Sequence, residues 1–267
     1  MTKTLIFLDI DGTLIKPDQT INDRRLPSSI RRLSKRGFLF GLNSNRSLED
    51  VLPIYRRFHL NGPIVLENGT YFIFRKKKVF LIKNQKHITP RFVEGLLRSF
   101  VKQNKLDAVI SVNDSVKVLA SSTTNTTPLL FLANKYRKFT GSIHILRYGK
   151  RDRVLAQKLV SFIKRKFRRD KLDFTVTRTE TFGNVIFYPK QSSKGLALQR
   201  LKKYYRNYHF YMIGDELSDF KAIHPIGSFF TVGNAAPKVK KVAQYIAKDT
   251  YTKGVVETLS YLGKVSL

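Results

Sequence analysis

The 267-residue sequence contains no cysteine and no tryptophan. Without cysteine there are no disulfides, no thiolate metal centres and no cysteine nucleophile. Acid is scarce as well. Asp and Glu number 19 against 50 Lys and Arg, a formal net charge of +31. Any carboxylates that gather are therefore the most informative residues in the chain. No apolar run approaches the roughly 18 residues that span a bilayer, so no membrane partner is expected. The five histidines, His59, His87, His144, His209 and His224, are scattered and lack metal-ligand spacing. The N-terminal stretch turns acidic at Asp9 and has no small-residue cleavage site. It does not read as a signal peptide, and a cytoplasmic protein is expected.

What is present is enough for a globular protein. Hydrophobic residues make up 42% and aromatics 12%, which rules out global disorder. The length exceeds a usual domain of about 100–150 residues, so two domains are as reasonable as one. The positive charge has two readings. It attracts polyanions, or it is a general compositional bias, since net charge bears on association and not on fold.

Apolar runs alternate with helical periodicity at both ends of the chain. Thr4–Leu8, Phe38–Leu42 and Pro63–Leu66 read as strands, with helices over Arg25–Arg36 and Leu48–Phe58 between them. This order implies a parallel sheet with crossover helices. Tyr71–Phe74 and Val79–Ile82 read as a hairpin around Arg75 to Lys78. A different rhythm follows. A helix starts at Thr89-Pro90, strands at Ala108–Val112 and Val116–Ala120 flank a turn at Asn113-Asp114, and a helix covers Pro128–Tyr136. A strand at Ile143–Leu146, an amphipathic helix over Val154–Phe167 and strands at Phe174–Thr177 and Val185–Tyr188 complete it. The first rhythm returns with a helix over Lys194–Tyr205, a strand at Phe210–Ile213, a short helix after Asp219, a strand at Ser228–Val232 and a helix over Lys238–Tyr245. The expectation is an α/β core, residues 1–82 and 184–267, interrupted by an α+β domain over 83–183.

Polar loops follow the strands, where ligands bind in open parallel sheets. They are Asp9-Ile10-Asp11-Gly12-Thr13, Asn43-Ser44-Asn45-Arg46, Gln191-Ser192-Ser193-Lys194 and Gly214 to Asp219. Asp9, Asp11, Asp215 and Asp219 are four of the 19 acids. Carboxylates drawn to one edge repel unless a cation sits among them, and hard oxygen ligands suit Mg²⁺. Of Asp9 and Asp11, one can attack a substrate while the other manages a proton. Gly12 lets backbone amides approach an anion. Ser44 can donate to a phosphate oxygen, and Lys194 can neutralise charge developing there. Each piece alone is ordinary turn or surface chemistry. Together, in this order, they are specific.

Asp9-Ile10-Asp11-Gly12-Thr13-Leu14, Ser44, Lys194-Gly195 and Gly214 to Asp219 resemble the four motifs of the haloacid dehalogenase (HAD) superfamily of phosphohydrolases. Glu67-Asn68-Gly69, Val232 to Ala235 with Asn234, and Lys253 to Val255 resemble marks of its Cof-type, sugar-phosphatase-like branch. The resemblance implies a Rossmann-like parallel-sheet core, with the inserted block as a cap that selects substrate. It implies Asp9 as nucleophile and Asp11 as general acid and base. Asp9, the Asp11 backbone carbonyl and Asp215 would hold Mg²⁺, Ser44 and Lys194 would bind phosphate, and Asp219 would position Lys194 or the metal shell. Gly12, Gly214 and Asn234 would support the loops. Two positions depart from the pattern: Asn45 stands where glycine is frequent, and Ser218 where asparagine is.

The implied function is a Mg²⁺-dependent phosphatase for a small phosphorylated metabolite, with a sugar phosphate foremost. The alternatives are a phosphotransferase or mutase of the same superfamily, a nucleic-acid-binding protein, and a polynucleotide-end phosphatase. Arg75 to Lys78 and Lys164 to Arg169 are basic clusters. They read as a hairpin tip and a solvated helix face, or as phosphate-backbone contacts. No continuous aromatic-rich stripe accompanies them, so any nucleic-acid binding is expected to be weak, non-specific and salt-sensitive.

Overall fold

The structure, a computed structural model, describes residues 3–81, 107–112, 116–120, 143–146, 153–169, 174–178 and 185–265. The chain divides into two compact units, Met1–Arg46, Asp50–Leu81 and Ser193–Leu267 forming one and Ser47–Glu49 and Ile82–Ser192 the other.

The first unit is built on β1 (Lys3–Leu8). Leu5 to Leu8 are fully buried, as expected for a strand covered on both faces. Pro27 opens α1 (Leu26–Ser34), which buries Leu26, Ile30 and Leu33. Then come β2 (Leu39–Asn43), α2 (Leu48–Arg57, with Pro53 inside it), β3 (Ile64–Leu66), β4 (Tyr71–Phe74) and β5 (Lys77–Phe80).

The hairpin turn is tighter than the sequence suggests. Arg75 and Lys76 both take positive φ (48° and 62°), and Phe74 pairs directly with Lys77. Two left-handed residues match the strand twist, so the second strand starts at Lys77 and not at Val79.

The second unit carries an antiparallel sheet. Its strands are β6 (Asp107–Val112), β7 (Val116–Ala120), β8 (Ile143–Leu146), β9 (Phe174–Arg178) and β10 (Val185–Pro189), in the order β7-β6-β8-β10-β9. Helix α3 (Arg153–Arg169) buries Leu159, Val160 and Ile163 and turns Lys164, Arg165, Arg168 and Arg169 to solvent. The expected return to the core at 184 is too early, because β10 pairs antiparallel with β8 and β9. The helix expected from Thr89-Pro90, the turn at Asn113-Asp114, the helix over Pro128–Tyr136 and the junctions at Ile82 and Gly183 lie outside the described residues.

The chain re-enters the first unit through α4 (Lys194–Lys202), β11 (Tyr208–Gly214), α5 (Leu217–Ile223), β12 (Gly227–Thr231), α6 (Pro237–Lys240), β13 (Tyr245–Ile246) and α7 (Tyr251–Val265). Two expectations change here. The helix drawn over 238–245 is a single turn, because Tyr245 and Ile246 pair with Phe230 and Thr231 as an edge strand. The amphipathic α7 is an additional helix beyond the expected elements, and Val255, Leu259 and Leu262 supply its buried face.

The sheet order is β13-β12-β11-β1-β2-β3-β4-β5. All pairs from β13 to β3 are parallel, and β4 and β5 add an antiparallel edge. Phe7 and Phe210 pack 5.4 Å apart on one face, against Leu198, Leu201, Ile223 and Phe229. From β1 the chain runs outward to β2 and β3 on one side, and returns as β11 to β13 on the other. β1 is thus the switch point, and the crevice beyond its C-terminal end is where such sheets bind ligands. Among the described residues no helix is long and apolar enough to cross a membrane.

Candidate active site

Leu8 pairs with Leu42 on one side and Ile213 on the other. Asp9, Asn43 and Gly214 therefore leave the sheet at one level, and the loops after them meet at one edge. Asp9 is buried, and its N–H donates to the Ile213 carbonyl at 3.0 Å. Lys194 opens α4, whose Ser193 cap accepts from Leu196 N at 3.0 Å. The Lys194 ammonium donates to Asp9 Oδ1 at 2.7 Å and to Asp219 Oδ1 at 2.8 Å. Asp219 also accepts from the Glu216 N–H through Oδ2 at 3.3 Å, part of a capping box on α5. One carboxylate thus starts the helix and orients the lysine.

Asp215 accepts from the Thr13 hydroxyl at 2.9 Å. Gly12 sits between them with φ +86°, and a Cβ there would collide with the Asp215 carboxylate. A Cβ on Gly214 would collide with Asp219 in the same way. Both positions exclude side chains so that the carboxylates can close in. Asn234 fixes the loop from behind: its amide donates to the Gly12 carbonyl at 2.8 Å and accepts from Tyr251 N at 2.8 Å.

Asp9, Asp215 and Asp219 offer oxygens within 4.8 Å of one another, all buried. Burial, set against the pull of Lys194 and reinforced by the carboxylates of Asp219 and Asp215, holds Asp9 well above the ordinary carboxylate range. Burial alone would lower the Lys194 ammonium, but Asp219 and Asp9 outweigh it and hold it firmly protonated. Three buried carboxylates, two of them paired with one ammonium, keep the cluster anionic. With oxygen donors only, it fits a hard divalent cation.

The Asp11 side chain stands apart from this cluster. It is gripped by Arg46, whose Nε lies 3.0 and 3.2 Å from its two oxygens and whose Nη2 lies 2.5 Å from Oδ1. Arg46 also donates to Gln19 Oε1 at 2.8 Å. Burial works against the guanidinium charge, but Asp11 outweighs it and raises the Arg46 pKa. In the sequence Arg46 stands out only as part of the loop after β2. A lone arginine among small polar residues, in a chain poor in acid, was the available signal. Thr13 likewise stands there only as a loop residue.

Ser44 is buried, and its hydroxyl accepts from Arg46 N at 3.1 Å. The loop is braced by Glu67, Asn68 and Gly69, all at positive φ (48°, 54° and 79°). Glu67 N donates to the Arg46 carbonyl at 3.2 Å, and Asn68 N to that of Ser44 at 3.4 Å. Of the two departures from the pattern, Asn45 buries an Oδ1 without a hydrogen-bond partner. The Ser218 hydroxyl is exposed and donates to Glu216 at 3.3 Å.

Residues 6–259 match the family model described as haloacid dehalogenase-like hydrolase. The chain belongs to the haloacid dehalogenase-like hydrolases. A phosphoglycolate phosphatase of Staphylothermus marinus is 24% identical over 257 residues, covering 95% of this chain and 94% of that protein. A haloacid dehalogenase-like hydrolase from Bacteroides thetaiotaomicron superposes with a TM-score of 0.70 at 24% identity, over 97% of this chain and 99% of the other. A HAD subclass IIB sugar phosphatase, BT4131, superposes with a TM-score of 0.68 at 13% identity, over 98% and 99%. The HAD core is thus the fold of the first sheet, and the chain is a phosphoric monoester hydrolase of this family.

Proposed function

We propose that the chain hydrolyses a small phosphorylated metabolite with Mg²⁺, through a phosphoryl group carried on Asp9. The observation that carries this reading is the buried Asp9–Lys194–Asp219 chain with Asp215 beside it. Asp9 and Asp215, with the backbone carbonyl of Asp11, would hold the cation. Bound there, Mg²⁺ supplies positive charge that lets a carboxylate approach a phosphate dianion.

Asp9 Oδ2 attacks phosphorus while Lys194 holds Oδ1, and the bond to the leaving oxygen breaks. Asp11 gives its proton to that oxygen. Asp11, now a carboxylate, takes a proton from water, whose oxygen attacks the phosphoaspartate. Phosphate leaves and Asp9 is restored. Ser44 and Lys194 bind the transferring group. Arg46 keeps Asp11 oriented in both roles, holding both oxygens of the carboxylate and only one of them when Asp11 carries the proton. The inserted unit selects the leaving group, and a chain lacking residues 84–182 should lose discrimination between phosphates.

The test is turnover of an aryl phosphate. Asp9→Asn should abolish it, and EDTA should do so reversibly on return of Mg²⁺. Full activity in Asp9→Asn overturns the reading. A sugar phosphate is the substrate class we favour, by analogy with the sugar phosphatase fold. A panel containing hexose phosphates and phosphoglycolate decides between the classes that its relatives suggest.

A further inference from the structure

The catalytic residues use the C-terminal ends of the parallel strands. The opposite edge of the same sheet carries a second concentration of chemistry. β1 begins there at Lys3 and β11 at Tyr208, a register pair. β4 runs antiparallel to β3, so its last residue, Phe74, reaches that edge too. Helix α4 starts at Lys194 in the active site and delivers Tyr204 and Tyr205 to the far end. The six residues of β1 set the two edges about 20 Å apart.

Four aromatic rings assemble at this edge, Phe74 from β4 and Tyr204, Tyr205 and Tyr208 from the stretch that runs from α4 into β11. Phe74 packs on Tyr204 with centroids 4.8 Å apart and planes tilted 31°. Tyr205 meets Phe74 edge-on at 5.4 Å and Tyr208 at 5.1 Å. The rings are rimmed by cations. The Arg75 guanidinium lies 5.0 Å over Phe74, and the Lys3 ammonium 5.9 Å over Tyr208. Lys77 is the register partner of Phe74 and shares its face. Lys203 and Arg206 are exposed beside Tyr204. Residues 71–81 hold four cations and residues 195–208 another four, and neither stretch holds an acid. Tyr204 is 49% exposed, with its ring against Phe74 and edge-on to Phe72 at 6.4 Å.

We propose that this edge binds single-stranded nucleic acid, with Tyr204 as the stacking platform and Arg75, Lys77, Lys203 and Arg206 as phosphate contacts. An exposed aromatic face set among cations answers both parts of a single strand, its bases and its backbone. A duplex hides its base faces. An anionic membrane supplies charge but offers nothing to stack on an exposed tyrosine. The contact needs no sequence readout, so it tolerates any base. It is separate from phosphate hydrolysis, since none of its residues belongs to the carboxylate cluster.

The test uses the full chain and a fluorescent oligothymidylate of about 15 nucleotides, read by anisotropy across a salt series. Tyr204→Ala should weaken binding about tenfold, and Tyr204→Phe should restore it. The slope of log K on log salt should be about −3 for four phosphate contacts, and should shrink by about half in Arg75→Ala/Arg206→Ala. The control is Arg31→Ala/Arg32→Ala on α1, which packs against α7. It removes the same charge and should leave affinity within about twofold. Turnover of an aryl phosphate should be intact in every variant, which checks the fold. No binding, no effect of Tyr204→Ala, or an equal loss in the Arg31/Arg32 control would each overturn the proposal. Binding to vesicles of anionic phospholipid with no binding to the oligonucleotide would do the same.

Discussion

Arg46→Leu is the perturbation that most directly tests the division of labour between Asp9 and Asp11. It removes the guanidinium and keeps most of the stem. The lost contacts run from 2.5 to 3.2 Å, and the side chains of Arg46 and Asp11 are 20% and 30% exposed. That exposure places the ion pair nearer a surface bridge than a buried one, about 1–2 kcal/mol of stability. At about 2–4 °C per kcal/mol, the melting temperature should fall by less than about 8 °C. The kinetic loss should be far larger. General acid–base catalysis is worth about 10²–10⁴-fold, and misplacing a catalytic group by about 1 Å costs about 100-fold. The loss should depend on the leaving group. On the proposed mechanism an alkoxide needs a proton from Asp11, whereas a nitrophenolate departs without it. We expect kcat to fall about 100-fold on an alkyl phosphate and about tenfold or less on nitrophenyl phosphate, with Arg46→Lys between the parent and Arg46→Leu. The assay is steady-state kcat and KM for both substrates in all three proteins. Equal losses on the two substrates would refute the positioning role. A raised KM with kcat unchanged would make Arg46 a substrate-binding group instead.

Lys194→Met should destabilise by about 3–5 kcal/mol in urea melts, because Asp9 and Asp219 then face each other without their shared cation; a cost below about 1 kcal/mol would mean that the lysine is not their main counter-charge. Gly12→Ala should cost more than about 1 kcal/mol and most of the activity, since it meets both φ +86° and the Asp215 carboxylate. Normal turnover in that variant would show that the loop is not needed in this shape. Asp9→Asn tests the linkage between charge and fold. Asp9 has a folded-state pKa raised chiefly by burial, so its contribution to stability is complete below the unfolded value and is lost as pH rises through the folded one. In EDTA, Asp9→Asn should therefore melt higher than the parent at neutral pH, and the gap should close as pH falls toward about 4. A gap that widens on acidification contradicts the sign.

The parallel half of the fold was legible because each buried strand is an apolar run ended by small polar residues, as at Leu8 and Ile213. The site was legible for the same reason: once strand ends are found, Asp9, Lys194 and Asp215 can lie only at one edge. What stayed hidden depended on pairing at a distance. Tyr245-Ile246 has helical neighbours and becomes a strand only because Phe230 and Thr231 offer it an edge. Asp11 looks interchangeable with Asp9 in sequence, yet one is enclosed by Lys194 and its neighbouring carboxylates while the other is held by Arg46. Gly254 masks the periodicity of α7, whose apolar face is plain only against α1. The aromatic edge was invisible for the same reason, as Phe74 and Tyr204 are brought together by the sheet and not by the chain.

The pairing of β1 with β11 has a consequence for synthesis. Lys3 to Leu8 lie beside Tyr208 to Ile213, with the whole second unit encoded between them. A ribosome adding about 5–20 residues per second needs about 10–40 seconds to deliver the partner strand. During that interval β1 can pair with β2 on one side only, and its other side is an apolar edge of the kind that templates aggregation. Asp9 waits with it, because Lys194, Asp219 and Asn234 are also translated late. The nascent chain is thus inactive and adhesive until its last quarter emerges. Production of this protein should respond to slower translation and to holdase chaperones more than its folded-state stability alone would suggest.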